Sequence, residues 1–262
     1  RELKYLMNKY NLKTFYFVDD TFTANKKRVI ELCKTIVDSK LDIEWGCETR
    51  VDLVDDEIIS WMKRAGCTKI DVGIETGSPK MLKIVKKGTT IEQAILASKL
   101  FNKYGLGWHA FLMLGYPEET KEDMQMTIDL IANIQPDTVI FSIFTPYPGT
   151  ELYNKSVQMG LLPEKPQWEL YSHQSPNNAF IRDTTMEDFQ GMVIKMIRAV
   201  DGYNTSPRAI IKRIRSKKRY FLSHPDEFIK KGIHFLNQKL LLAKSMDSLY
   251  IKNKDLRLLN TY

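Results

Sequence analysis

The sequence predicts an α/β fold built on parallel strands. Apolar, β-branched or aromatic runs recur roughly every 30 residues, the size of one strand–helix unit. Segments with helical periodicity and capping signals lie between them. No run reads as clearly antiparallel, and short links between strand–helix units imply a parallel sheet with right-handed crossovers. This pattern fits an open doubly wound sheet or a barrel equally well.

The opening, RELKYLMNKYNLK, reads as the end of a helix already under way. KTFYFV (13–18) is the first strand, apolar enough to be buried on both faces. Val29, Leu32, Cys33, Ile36 and Val37 then share one helix face. IEWGCE (43–48) is the second strand. Asp55 to Ala65 is a helix with acids first and Lys63-Arg64 last, as the helix dipole favours, and Gly66 closes it. TKIDVGIE (68–75) is the third strand. Thr90 and Gln93 form a capping box for a helix ending near Gly105. GWHAFLML (107–114) and TVIFSIFT (138–145) are the fourth and fifth strands, separated by a helix capped by Thr120 and Asp123. Beyond residue 150 the pattern breaks. Residues 161–183 are irregular and proline-bearing, and a helix follows Thr185 with Phe189, Met192, Val193, Met196 and Ile197 on one face.

The 262 residues are 43% hydrophobic and 27% charged, enough for a large core. No apolar run reaches the roughly 18 residues of a membrane span, and the N-terminus lacks a signal peptide's apolar core. Cys33, Cys47 and Cys67 are scattered and odd in number, which fits a reducing cytoplasm rather than a disulfide scaffold. Charge is uneven. Residues 207–262 hold 14 Lys/Arg against 4 Asp/Glu, a net +10, while residues 1–206 sum to −3.

In parallel α/β folds ligands sit at the carboxyl ends of strands. Here those ends carry Asp19-Asp20-Thr21, Glu48-Thr49-Arg50, Glu75-Thr76-Gly77-Ser78, Gly115-Tyr116-Pro117-Glu118-Glu119-Thr120, and Thr145-Pro146-Tyr147-Pro148-Gly149-Thr150. Carboxylates bind hydroxyls or an ammonium group; Arg50 or Lys87 binds a carboxylate. The rim therefore suits a polar, zwitterionic ligand. Blander readings exist: Asp19 or Asp20 as a helix cap, Glu48 and Glu75 as surface charges, GYPEET as a turn plus a cap. Cys33 falls on an apolar helix face and reads as core, and Cys47 and Cys67 read as packing residues. His109 within a strand is as readily a buried, hydrogen-bonded residue as a functional one, while His173 lies in irregular chain.

The segments DDTFT (19–23), WGCETRVD (45–52), KRAGC (63–67), VGIETGS (72–78), Lys87-Gly88, GYPEET (115–120) and TPYPGTELY (145–153), in this order and spacing, resemble the radical S-adenosylmethionine (SAM) superfamily. The likeness is to its cobalamin-associated branch, which includes anaerobic magnesium-protoporphyrin monomethyl ester cyclases and many methyltransferases. It covers residues 1 to about 160, with a looser match through YSHQSP (171–176).

The resemblance implies a partial (β/α)6 TIM-like barrel of parallel strands with the first strand missing, followed by a helical C-terminal extension. The core spans 1–160 and the irregular linker and basic helical extension 161–262. It implies a [4Fe-4S] cluster and SAM as cofactors, with cobalamin in a preceding domain as a further option. The cluster's Cys-x3-Cys-x2-Cys loop is expected upstream of residue 1, because the three cysteines present have the wrong spacing. The chain as given is expected to lack the cluster and to be inactive by itself. In this picture Asp19 or Asp20 accepts hydrogen bonds from the SAM ammonium or shapes its loop. Glu48 contacts the sugar or methionyl group, Glu75 a ribose hydroxyl, and Lys87 the carboxylate. The backbone of Gly115, Tyr116 and Pro117 lines the adenine. The reaction implied is reductive cleavage of SAM to a 5′-deoxyadenosyl radical that removes a substrate hydrogen.

Implied partners are a small-molecule or lipid substrate and an electron donor such as flavodoxin or ferredoxin. A tRNA-modifying enzyme and a cluster-free, non-catalytic homologue are the alternatives. The basic stretch RAIIKRIRSKKRYFL (208–222) is an amphipathic helix that packs its apolar stripe and leaves Lys/Arg in water, or else a contact for an anionic membrane surface or RNA.

Overall fold

Five parallel strands form one sheet in the sequential order β1 (Thr14–Phe17), β2 (Glu44–Thr49), β3 (Cys67–Glu75), β4 (Gly107–Leu114), β5 (Thr138–Ile143). Each crossover steps the same way, so with one handedness every connecting helix falls on the same face. A doubly wound sheet would reverse direction at a switch point. The sheet is thus an open, singly wound arc of a barrel, and the α/β fold expected from the sequence is present. The computed structural model describes residues 1–163, 165–168, 179–216, 221–222, 225–226 and 229–230.

The helices are α1 (Glu2–Tyr10), α2 (Lys26–Asp38), α3 (Asp56–Arg64), α4 (Pro79–Ile84), α5 (Ile91–Lys103), α6 (Lys121–Ile134), α7 (Glu151–Gln158), α8 (Met186–Asn204) and α9 (Pro207–Ser216). Both capping boxes form, at Thr90/Gln93 and Thr120/Asp123. Asp55 caps α3, and Gly66 follows it at φ +92°. Val29, Cys33 and Ile36 of α2, Ile58, Ile59 and Met62 of α3, and Phe189, Met192, Val193 and Met196 of α8 are buried in one core. They pack against alternate strand residues: Trp45 and Cys47, Ile70 and Val72, Trp108 and Ala110, Val139 and Ile143. Cys33, Cys47 and Cys67 are all fully buried there as free thiols.

Two expectations need correction. The first strand is not buried on both faces. It pairs with β2 alone, at the sheet edge, and Tyr16 and Val18 are exposed while Phe15 and Phe17 pack against the core. The basic helix at 208–216 does not leave all its cations in water. Lys212 Nζ donates to the Gln135 carbonyl at 2.6 Å and Arg213 to the Asn204 carbonyl at 2.5 Å. Burial pulls both groups below their ordinary pKa values.

Residues 1–216 form one compact unit, with α8 and α9 inside it, and 217–262 a second. In the second, residues 221–222, 225–226 and 229–230 are helical. His173 and the YSHQSP stretch lie outside the described residues. No helix among the described residues is long and apolar enough to cross a membrane.

Candidate functional site

Strand β3 supplies the centre of the site. Its sequence alternates, so Ile70, Val72 and Ile74 enter the core while Lys69, Asp71, Gly73 and Glu75 take the opposite, polar face. The ladder to β4 shifts register between Gly73 and Glu75, and Glu75 takes a left-handed φ of 70°. A non-glycine residue in that region is strained and persists only where its surroundings hold it. The Glu75 side chain turns back over Gly73: a Cβ there would lie 2.7 Å from Glu75 Oε1 and 3.0 Å from Lys87 Nζ. Gly73 thus leaves the space in which these two groups meet. Glu75 Oε1 and Lys87 Nζ form a half-buried ion pair at 2.7 Å.

The following residues fasten this corner. Gly77 donates its amide to Thr127 Oγ1 at 2.9 Å, and Thr76 and Thr127 hydroxyls meet at 3.0 Å. Ser78 caps α4 and donates to Asp123 Oδ1 at 2.6 Å, with Lys80 on Oδ2 at 2.6 Å. Burial raises the Asp123 carboxyl, but these partners outweigh it and bring it below its ordinary value. Arg50 forks onto Asp52 with two 3.0 Å bonds and donates to the Lys87 carbonyl at 2.8 Å. Arg50 therefore positions the Lys87 backbone. Lys86 and Gly88 flank that residue at φ 53° and 71°.

The loop after β4 carries Gly115 at φ 88°, then Tyr116 and Pro117, all buried. The fully buried Glu119 organises it. Its Oε2 accepts the Gly115 amide at 2.5 Å and the Tyr116 amide at 3.2 Å, while Oε1 has no hydrogen-bond partner among the described residues. Burial pushes the Glu119 carboxyl up to about 8, against the two amides, so it is protonated at neutral pH. Tyr116 stacks at 5.3 Å on Phe144, which stands 6.5 Å from Phe180, in a small apolar cluster with Met81. Burial, then the charges of Glu75 and Glu119, raise the Tyr116 phenol well above its ordinary value.

Among the rim candidates, Glu75 and Lys87 meet, while Gly115, Tyr116 and Pro117 lie buried in the loop at the end of the next strand. Asp19 pairs with Arg28 at 3.2 Å, Asp20 is exposed, and the cap of α2 is Asn25, not either aspartate. Glu48 lies one residue inside the end of β2, exposed on the polar face. Sequence reasoning missed Glu119. It also missed a cluster lower on the polar face, where Tyr16, Lys69 and His109 converge on Asp71. The alternation Lys69-Ile70-Asp71-Val72-Gly73 was the available signal for that cluster.

The matching family model, the radical SAM superfamily, spans residues 1–131. An uncharacterised methyltransferase of Pyrococcus horikoshii is 34% identical over 213 residues, 81% of this chain and 45% of that protein. The chain belongs to the radical SAM superfamily. An anaerobic magnesium-protoporphyrin IX monomethyl ester cyclase of Rubrivivax gelatinosus is 28% identical over 177 residues, 67% of this chain and 31% of that protein. The chain spans less than half the length of these curated relatives. In fold, it matches a radical SAM methyltransferase of Kitasatospora setae, solved with cobalamin and a [4Fe-4S] cluster, at a TM-score of 0.56 and 19% identity, over 63% of this chain and 34% of that one.

Proposed function

We propose that this chain forms the SAM-binding part of a radical SAM enzyme that acts on a small-molecule or lipid substrate by methyl transfer or oxidative cyclisation. The observation that carries the reading is the Glu75–Lys87 pair at 2.7 Å, held over Gly73 by a left-handed residue at the end of β3. An acceptor and a cation side by side suit a ligand that carries both hydroxyls and a carboxylate.

The residues present fit SAM. Glu75 accepts from ribose hydroxyls, and Lys87, positioned by Arg50, pairs with the carboxylate. The Gly115–Pro117 backbone, pinned by protonated Glu119, and the Tyr116–Phe144 stack wall the base. Glu48 reaches the sugar or methionyl group, and Asp19 or Asp20 serves the ammonium or its loop. The residues present do not fit the cluster. All three cysteines are buried in the helix-covered core, and no group of three or more His, Cys, Asp or Glu side chains placed to hold a metal exists among the described residues. When bound, SAM supplies one-electron cleavage of its sulfonium bond and hydrogen abstraction from a substrate. The chain's own part is to orient that ligand and exclude water. Cobalamin is an option that the Kitasatospora likeness raises, and an electron donor such as flavodoxin or ferredoxin completes the scheme.

Equilibrium binding of SAM tests this directly. Wild-type protein is expected to bind, with affinity at least about tenfold weaker in Glu75→Ala and Lys87→Ala, the loss of one charge-assisted contact each. Equal affinity in all three overturns the assignment.

A further inference from the structure

The polar face of the sheet carries a second group of side chains that SAM binding does not use. Glu48, Asp71 and His109 are successive partners across β2, β3 and β4, one lateral row of the sheet. Asp71 is 5% exposed and gathers three donors. Tyr16 Oη lies 2.6 Å and Lys69 Nζ 2.8 Å from Oδ2, and His109 Nδ1 lies 3.0 Å from Oδ1. No aligned hydrogen bond reaches Oδ1 among the described residues, and His109 Nδ1 is the group that stands beside it. A buried carboxylate oxygen left unpaired is costly, and a proton on Nδ1, 3.0 Å away, relieves that cost once the ring turns into line with it. Gly46 makes room for this: a Cβ there would stand 3.0 Å from the Tyr16 ring.

The consequence concerns the other ring nitrogen. With the proton on Nδ1, Nε2 carries a lone pair, and no hydrogen bond among the described residues reaches it. A carboxylate-held imidazole with an open Nε2 is the arrangement of a general base. Its place is suggestive. Asp71 and Gly73 are two residues apart on β3, about 7 Å, and the Glu75 carboxylate lies over Gly73. The Glu75–Lys87 pair and the Asp71–His109 pair thus stand on one face of the sheet, about two strand residues apart.

We infer that His109 takes a proton from an N–H or O–H group of a polar substrate lying over β3 and β4, with Asp71 as its positioning residue; the role rests on the radical SAM reading of the same face. In the step the substrate X–H bond breaks, its electron pair stays on X, and an N–H bond forms at Nε2. Asp71 remains ionised and stabilises the imidazolium, while Tyr16 and Lys69 hold its other oxygen. Glu48 from β2 and Thr138 from β5 are the remaining polar groups in the same row.

Three measurements test this. Long-range ¹H–¹⁵N correlation on ¹⁵N-histidine-labelled whole protein, free of cluster, reads the tautomer, with the His109 signal assigned by its loss in His109→Asn. A neutral Nδ1–H ring in the wild type that shifts toward Nε2–H in Asp71→Asn is expected; an Nε2–H ring in the wild type overturns the inference. Diethyl pyrocarbonate is expected to modify His109 in the folded protein, reversibly with hydroxylamine; protection in the folded state overturns it. Finally, the whole protein with its cluster rebuilt is given SAM, dithionite and a small-molecule extract of the source cells. His109→Asn is expected to keep 5′-deoxyadenosine formation within about threefold and to lose the SAM-dependent product about 100-fold. Unchanged product formation overturns the role. Absence of 5′-deoxyadenosine from the wild type would remove the radical SAM reading and the catalytic role with it, whereas the tautomer result judges the geometry by itself.

Discussion

Glu75 and Lys87 meet at 2.7 Å across a glycine, and Glu75 adopts φ 70° to make the contact. A left-handed glutamate is disfavoured by roughly 1–2 kcal/mol, so the ion pair and the β-bulge hold it against its own preference. Lys87→Ala leaves the half-buried Glu75 carboxylate without its cation. A loss of about 1–2 kcal/mol in urea unfolding is expected. Glu75→Gly relieves the backbone strain, and its unfolding free energy is expected within about 1 kcal/mol of the wild type although SAM affinity falls.

Two neighbouring glycines separate binding from folding. In Gly73→Ala the new Cβ meets the flexible tips of Glu75 and Lys87, which can move aside. Unfolding should change by less than about 1 kcal/mol while SAM affinity drops at least about tenfold. In Gly77→Ala the Cβ would meet the α6 backbone, including Thr127 Cα at 2.8 Å, and nothing there can yield. A loss of about 2–4 kcal/mol is expected, measured by the same unfolding assay.

Glu119 makes the loop after β4 sensitive to alkali. Its folded pKa of about 8 is raised above the ordinary 4.5. A raised acid contributes stability that is fully present below pH 4.5 and is lost as pH climbs through about 8, at about 1.4 kcal/mol per pH unit. Unfolding free energy is expected to fall between pH 6 and 9 in the wild type, and the wild-type minus Glu119→Gln difference isolates the effect. Glutamine keeps an acceptor for the Gly115 and Tyr116 amides and carries no charge.

Asp71 works in the opposite direction. Burial alone would raise its carboxyl, but hydrogen bonds from His109, Lys69 and Tyr16 bring it down to about 2. That stability is present above pH 3.8 and is lost as pH falls through about 2. Asp71→Asn should cost about 2 kcal/mol at pH 7, a cost that shrinks toward pH 2. Urea titrations of both proteins at pH 7 and pH 3 measure it.

Much of this molecule was legible in its sequence. All five strands, both capping boxes and the closing Gly66 follow from local pattern, because periodicity and caps act over a few residues. The edge position of β1 follows from the missing first strand that the resemblance implies, but its half-exposed state was not legible. FYFV is apolar throughout, and only the structure shows that Phe15 and Phe17 pack on the core while Tyr16 takes the polar face and reaches Asp71. The helices α4 and α7, of 6 and 8 residues, are too short for a periodic signal. At the rim, residue type pointed to Glu75 and Lys87, which meet, and equally to Asp20, which is exposed. The Asp71–His109 pair depends on the register of β3 against β4, joining residues far apart in sequence, and no local pattern encodes it.

The central claim is that Glu75 and Lys87 hold SAM for reductive cleavage. The most direct measurement is 5′-deoxyadenosine formation by the whole natural protein, reconstituted anaerobically with iron and sulfide and given SAM and dithionite. The account expects a [4Fe-4S] spectrum and 5′-deoxyadenosine in the wild type, with cleavage falling at least about 100-fold in Glu75→Ala and Lys87→Ala while the spectrum persists. A folded wild-type protein that forms the cluster and cleaves SAM equally well with either substitution would contradict it.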